Sequence, residues 1–564
     1  MKLSSFIKGY RAQAAASPIL KMLEAIMELI VPLVVAKIID VGIPSGDRMY
    51  VVYACLIIVG FGILGLVFSL SGQYFAAKAA VGFSKGMRYE MFKHIGKFSY
   101  SQLDTIGTAT LITRMTSDSN QVQTGINLTL RLLLRSPFVV FGAMIAAFLI
   151  DVQSGYIFLA AVPVLSLVIF LIMFFSVPMY KKVQKNVDDV LLSTRENLTG
   201  ARVLRAFCLE EKEIEAFDAK NEKLTNMQKR VGRISALLNP LTFAVINVAI
   251  ICIIYVGGIK VYDGVLSQGE VVALYNYMSQ ILIELIKCAN LIVSLNKAVA
   301  SAHRIQAVFD VVPDERKGEK DFPENFDIEF KGVSLRYANG GDYAVTGVNF
   351  KAKSGETIGV IGGTGSGKTS LVNLLPRFYE ATEGEVLIGG ENVNDINFEQ
   401  LRQSIGVVPQ KAVLFKGTIR DNMCFGKKAS DEEIEKALKV AQADEIVKLK
   451  GGLDFMVEQN GQNLSGGQKQ RLTIARALVL NPKILILDDS ASALDYRTDY
   501  KLRSALKELK GLTTFIVSQR TSSIMYADKI IVLDAGKVVG IGKHEKLLET
   551  CEVYRQIYNS QTGA

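Results

Sequence analysis

The stretch Gly362-Gly363-Thr364-Gly365-Ser366-Gly367-Lys368-Thr369 fits the pattern GxxxxGK[ST], with Ser370 next in line. A glycine-rich turn lets backbone N–H groups crowd around the β- and γ-phosphates of a nucleotide. Lys368 adds a cation, and the Thr369 hydroxyl is of the kind that holds Mg²⁺. A phosphate loop alone leaves many NTPase classes open. About a hundred residues later comes a second glycine-containing segment, Leu464-Ser465-Gly466-Gly467-Gln468, which narrows the choice.

These loops need rigid elements to hold them. Glu356-Thr357-Ile358-Gly359-Val360-Ile361 reads as a buried strand, and Thr369 to Leu375 as a helix that opens directly after the loop. The 564-residue chain is 49% hydrophobic with a mean hydropathy of +0.27, too apolar for a soluble protein of this length. The apolar runs concentrate before residue 300, and residues 320–564 read like an ordinary α/β domain. The expected division is a membrane domain over 1–312, a linker over 313–324 and a nucleotide-binding domain over 325–564. The linker contains the charged run Pro313-Asp314-Glu315-Arg316-Lys317-Gly318-Glu319-Lys320.

Crossing a bilayer takes about 20 apolar residues as a helix. Six segments qualify, at 17–41, 50–80, 126–150, 155–179, 238–262 and 270–298, so the fold class is a six-helix membrane domain followed by an α/β P-loop domain. An even count returns the chain to the side where it started. Residues 2–15 alternate basic and apolar positions as an interfacial helix would. The long connections 81–125 and 180–235 keep helical periodicity and read as helices running on into the cytoplasm. Charged residues within spans are costly and need a reason. In the sixth span Asn276, Gln280, Glu284 and Lys287 (or Cys288) share one face, which is expected to line a water-filled cavity; the bland alternative is a Glu284–Lys287 pair buried between helices. Glu28 in the first span is a second pathway candidate, whereas Arg131 and Arg135 are expected to snorkel towards headgroups.

Net charge is +9, from 64 Lys and Arg against 55 Asp and Glu. The bases gather beside the apolar spans, as the positive-inside bias expects, and nothing resembles a nucleic-acid recognition element. The cysteines, at 55, 208, 252, 288, 424 and 551, have no ligand or disulfide spacing.

The pairing of Gly362–Thr369 with Leu464–Gln468, behind six spans, resembles the ATP-binding cassette (ABC) exporters over nearly the whole chain. The resemblance implies ATP and Mg²⁺ as ligands, a multi-pass cell-membrane location (a bacterial inner membrane) and a cytoplasmic cassette. It also implies a second half-transporter, because in such cassettes the signature segment is offered to ATP on another subunit's phosphate loop. By the same resemblance Tyr337 stacks on adenine, Gln410 senses Mg²⁺ and Asp488, ending Ile484-Leu485-Ile486-Leu487-Asp488, holds the hydrated metal. Ser492-Ala493-Leu494-Asp495 crosses to the partner. Short coupling helices are expected near Ser101 to Gly107, followed by a stretch similar to Gly-x-Leu-x-x-Arg-x-x-x-Asp that departs at Ala109, and near Phe207 to Phe217.

Two departures from the family pattern carry weight. Asp489 stands where a catalytic glutamate is expected, and Gln519 where a histidine contacts the γ-phosphate. Together they resemble the degenerate-site half of a heterodimeric exporter of apolar or amphipathic, multidrug-like compounds. The alternatives are a slow homodimer, or an ATP-gated channel or regulatory subunit.

Overall fold

The computed structural model describes residues 3–313, 318–338, 340–425, 428–490 and 493–562; the part of the expected linker at 314–317 and Ser492 of the crossing loop lie outside the described residues. The chain forms two compact units, Met1–Gly96 with Ala109–Val312, and Lys97–Thr108 with Pro313–Ala564.

The first unit is helical throughout. Among the described residues five helices are long and apolar enough to cross a membrane: Arg48–Ile95, Thr108–Ile150, Val152–Thr199, Glu210–Tyr262 and Gln268–Asp310. The expected first span is also a helix, Arg11–Lys37, long enough to cross at 1.5 Å per residue, but Lys21, Glu24 and Glu28 keep it out of that apolar set. Side chains such as Leu56, Ile63, Leu66 and Leu70 point outward from the second span and are exposed, as suits a helix whose solvent is lipid. Close packing relies on small residues: Ala76, Ala79 and Ala80 are buried, and Ser17 Oγ donates to the Gly72 carbonyl at 2.8 Å. Phe158, Leu165, Ile253, Tyr277 and Ile281 form part of the core between later spans.

The third span is not continuous. Its helix stops at Leu132, turns through Leu133 and Leu134, and restarts at Arg135. Pro137 accounts for the break, because it has no N–H to offer the Leu133 carbonyl one turn back.

The long connections are helical, as their periodicity predicts. The second-span helix runs on to Ile95, and the fourth-span helix to Thr199. A short helix Tyr100–Ile106 follows the former, started by a capping box between Ser99 and Gln102 and ended at Gly107 with φ of +81°. The second tip lies earlier than its expected place at 207–217: the short helix is Ala201–Ala206, and the return helix begins at Glu210. Gly200 ends the outgoing helix, while Glu210, Glu211 and Glu213 favour a new N-terminus just beyond it. The Gly-x-Leu-x-x-Arg-x-x-x-Asp stretch has a structural purpose. Leu111 is buried, and Arg114 reaches Asp118 at 2.7 Å across a π-helical turn. Arg304 Nε, on the long sixth helix, donates to the same carboxylate at 3.1 Å.

In the second unit an antiparallel sheet orders its strands Val345–Ala352, Ile328–Leu335, Glu383–Ile388 and Glu391–Asn392. A six-stranded sheet runs Lys537–Gly542, Lys529–Asp534, Thr357–Gly362, Thr513–Val517, Ile484–Asp488 and Ile405–Val408. Its last five strands are parallel, and Ile484–Asp488 and Thr513–Val517 are buried along their whole length. Apolar cores lie on both faces, one including Leu485, Leu487, Leu472 and Leu502, the other Ile358, Val360, Leu371 and Ile486.

Burial works to raise the Asp118 pKa, but hydrogen bonds from Arg304 and Arg114 outweigh it and hold the carboxyl below the ordinary aspartate range. A depressed folded pKa means that the stabilisation is complete above the unfolded value, about 3.9, and is lost as pH falls through the folded one. Asp118→Asn should therefore lower the thermal midpoint of the detergent-solubilised protein at neutral pH, by an amount equivalent to roughly 2 kcal/mol. The gap between variant and wild type should close on acidification below about pH 4; a gap that persists unchanged there would remove the ion pair as its cause.

Candidate functional site

The parallel sheet brings the sequence-predicted residues to one edge. Thr357–Gly362 and Ile484–Asp488 both flank Thr513–Val517, with Val517 level with Val360 on one side and Asp488 on the other. The phosphate loop, Asp488 and Asp489, and the segment carrying Gln519 thus leave the carboxyl ends of three adjacent strands.

Within the loop Gly365 and Gly367 have φ of +80° and +93°, a region that side chains other than glycine rarely adopt. A Cβ at Gly367 would also lie 2.4 Å from the Ala344 carbonyl oxygen. Lys368 folds back, donating to the carbonyls of Gly362 at 3.0 Å and Gly363 at 2.6 Å. Burial pushes the Lys368 pKa down, opposed by the nearby carboxylates of Asp489 and Asp488. Thr369 Oγ1 donates to Asp488 Oδ2 at 2.9 Å. Burial raises the Asp488 carboxyl above its ordinary range and Asp489 adds to the rise, while the Thr369 hydrogen bond and Lys368 act against it. The Thr369 hydroxyl and the Asp488 carboxylate are thus brought together at the start of the helix that follows the phosphate loop.

Asp489 follows with φ of +45°, its N–H donated to the Val517 carbonyl at 2.9 Å. Its Oδ2 accepts from Gln410 Nε2 at 3.4 Å, so the two are brought together at the limit of a hydrogen bond. Gln519 is exposed, and its backbone carbonyl accepts from Gln561 Nε2 at 2.7 Å. The Gln561 Oε1 atom accepts from both the backbone N–H and the hydroxyl of Thr521. Sequence motifs gave no hint of this clamp, since Gln561 lies on the separate helix Glu552–Thr562.

The signature segment is placed differently. Ser465 caps the helix Gly466–Val479 in a capping box in which its own N–H donates to Gln468 Oε1 at 3.0 Å, Leu464 is buried, and Ser465 and Gly466 are exposed at the helix N-terminus, the end of a helix that favours an anion. Among the described residues no hydrogen bond joins Leu464–Gln468 to Gly362–Ser370. A Cβ on Gly466 would meet nothing within 4 Å, whereas one on Gly467 would come 3.1 Å from the Ala493 carbonyl oxygen. Asp495 caps the helix Tyr496–Lys507, accepting from Thr498 N at 2.9 Å.

In the membrane unit the polar stripe of the sixth span joins a larger cluster. Arg135 Nη1 donates to Glu284 Oε1 and Arg135 Nη2 to Glu28 Oε2, each at 2.7 Å. Ser136 donates to Glu284 Oε2 at 2.8 Å, and Lys287 pairs with Glu284 at 2.8 Å. Arg135 is buried among carboxylates and does not snorkel, because the break before Pro137 turns the start of its helix inward to partners on the first and sixth spans. The Arg135 and Glu284 side chains are 6% and 4% exposed, whereas Glu28 and Lys287 are 44% and 43% exposed, so the cluster has a buried centre and an accessible rim. Asn276 and Gln280 are half-buried beside it. Gln280 Oε1 and Arg135 Nε are buried with no hydrogen-bond partner among the described residues.

Breaking a buried pair by removing one partner costs about 3–5 kcal/mol, mostly from the charge left behind. Arg135→Met should therefore destabilise the protein strongly, and adding Glu284→Gln should restore a large part of the loss. Thermal unfolding of the two single variants and the double variant in detergent measures this; strictly additive losses would mean that the two charges are not coupled.

Comparison with known proteins agrees with this architecture. The family description "ABC transporter transmembrane region" matches residues 15–285, and "ABC transporter" matches residues 345–492. The chain is 37% identical to the ABC transporter ATP-binding protein YfiB of Bacillus subtilis, over 100% of this chain and 98% of that protein. It is 32% identical to an ATP-dependent lipid A-core flippase of Syntrophus aciditrophicus, over 84% of this chain and 80% of the flippase. The solved structure of a bacterial Atm1-family ABC exporter with ATP bound shares the fold, with a TM-score of 0.82 at 22% identity over 98% of this chain and 99% of the other. A helical membrane domain fused to a cassette with its phosphate loop at the carboxyl edge of a parallel sheet, together with these relatives, places the chain in the ABC transporter family as a multi-pass, ATPase-coupled half-transporter.

Proposed function

We propose that this chain is the degenerate-site half of a heterodimeric exporter for apolar or amphipathic, multidrug-like compounds, with domains at 1–312 and 325–564 joined by a linker at 313–324. The observation that carries the reading is the pair of residues at the carboxyl edge of the sheet. Asp489 replaces a glutamate, and Gln519 a histidine. Removing one methylene draws a carboxylate back by more than about 1 Å on standard bond lengths. A general base must come within about 2.6–3.2 Å of its target, directly or through one water. Gln519 offers no positive charge to a γ-phosphate.

The binding parts are intact. Tyr337 takes the adenine ring, Gly362 to Ser370 the phosphates, and Thr369, Asp488 and Gln410 the Mg²⁺. Ser465 and Gly466, at the exposed helix N-terminus, then serve the partner's ATP, and Asp495 holds the crossing loop in place. In the membrane unit Glu28, Asn276, Gln280, Glu284 and Lys287 border the pathway. The orphaned Gln280 acceptor and the accessible rim of the charge cluster support that assignment. The likeness to a lipid A-core flippase over 84% of this chain supports an amphipathic cargo.

ATP should stay at this chain's own site for longer than one turnover of the complex. Trapping nucleotide during steady hydrolysis by this chain purified with its partner should find intact ATP there, and mostly ADP exchanging at the turnover rate would sink the assignment.

Damage should be asymmetric as well. Gly466→Asp is sterically tolerated within this chain, yet it puts a carboxylate among donors meant for the partner's γ-phosphate. It, or Ser465→Arg, should nearly abolish ATPase activity, whereas Asp489→Asn should reduce it only a few-fold. Equal loss from Asp489→Asn and Gly466→Asp would favour a homodimer with equivalent sites.

A further inference from the structure

Next to the phosphate loop lies a chain of contacts that the motif residues do not explain. The Tyr337 hydroxyl is 2.8 Å from Ser370 Oγ, on the first helical turn beyond the loop. The Tyr337 ring meets that of Tyr379 edge to face, with centroids 4.9 Å apart and planes at 90°. Tyr379 in turn donates its hydroxyl to Asp104 Oδ2 at 2.6 Å. Asp104 belongs to the short helix Tyr100–Ile106, which is covalently continuous with the second span on one side and, through Gly107, with the third on the other.

A second aromatic contact runs alongside the first. Tyr100 packs on Phe378 with centroids 4.6 Å apart, and the Arg402 guanidinium lies 5.3 Å from the Phe378 ring. Ser99, Ser101, Tyr337, Phe378 and Tyr379 share the wall of one cavity of about 470 Å³, so the start of the short helix and the base-stacking tyrosine border the same space. Burial, and then the Asp104 carboxylate, push the Tyr379 hydroxyl pKa up, which keeps it a donor at any ordinary pH.

We propose that Tyr379 is a positioning residue that passes the state of Tyr337 to Asp104, so that ATP occupancy at this chain's own site reaches the first helix tip by a route that bypasses Gln410, Asp489 and Gln519. The proposal rests on the reading of Tyr337 as the adenine-stacking side chain. A base settling on Tyr337 fixes that ring, the ring fixes the edge-to-face angle of Tyr379, and the angle decides whether the Tyr379 hydroxyl meets Asp104. The route is sensitive to occupancy and indifferent to hydrolysis. It therefore keeps a purpose for a site whose hydrolytic residues depart from the family pattern.

The test uses the full chain assembled with its partner half in lipid nanodiscs, with Tyr379→Phe, Asp104→Ala and the double variant. Affinity for a fluorescent ATP analogue is measured alongside the ATP-dependent change in distance between spin labels, one of them on Val265→Cys in the loop before the sixth span. Nucleotide affinity should stay within twofold of the parent. The fraction of complexes that switch on ATP addition should fall at least threefold in each single variant, with no further loss in the double. Asp104→Ala probes the contact from its other end, so poor folding of one variant leaves the question answerable.

Unchanged switching would overturn the proposal, as would additive losses in the double variant, or a fall in affinity large enough to explain the loss of switching. If the parent complex itself fails to switch with ATP, the export reading falls first and the proposal with it.

Discussion

Parallel pairing on both sides of Thr513–Val517 is the constraint from which the cassette's chemistry follows. It puts the glycine loop, the buried Asp488 with the half-buried Asp489, and the Gln519 segment at the same end of three adjacent strands. Because these strands are apolar and covered on both faces, the edge is rigid, and a change of one methylene at position 489 cannot be absorbed by the backbone. The loop glycines, the Thr369–Asp488 bond and the inward fold of Lys368 are local responses to that placement.

A different constraint governs the membrane unit. A guanidinium withdrawn from water must be matched by carboxylates, and Arg135 meets this by drawing Glu28 and Glu284 from two other spans. The break before Pro137 is what lets the third span present Arg135 and Ser136 together to those partners. Polar groups that would be liabilities on separate helices become a structural joint, with Glu28 and Lys287 left at its accessible rim.

Much of this was legible in the sequence where the signal is contiguous. The phosphate loop needs glycines at fixed spacing, and the strand before it is an unbroken apolar run, so both could be read without a structure. The helical extensions declared themselves by periodicity. Arg135 could not be understood in the same way, because its partners lie 107 and 149 residues away and local sequence suggested only a base near a headgroup. The second helix tip lies a turn or more before the place that the family resemblance implies, because Gly200 ends the outgoing helix and the acidic run from Glu210 starts the next one. Tyr379 looked like one aromatic among several, and only its contact with Asp104, 275 residues earlier, sets it apart.

The clamp formed by Gln561 gives the outermost helix of the cassette an unexpected importance. Here the helix Glu552–Thr562 supplies both the acceptor for Thr521 and the donor for the Gln519 carbonyl, so the segment carrying Gln519 is held from outside the sheet. Sequence variation in that helix therefore reaches the backbone around Gln519 without touching any residue of the nucleotide motifs.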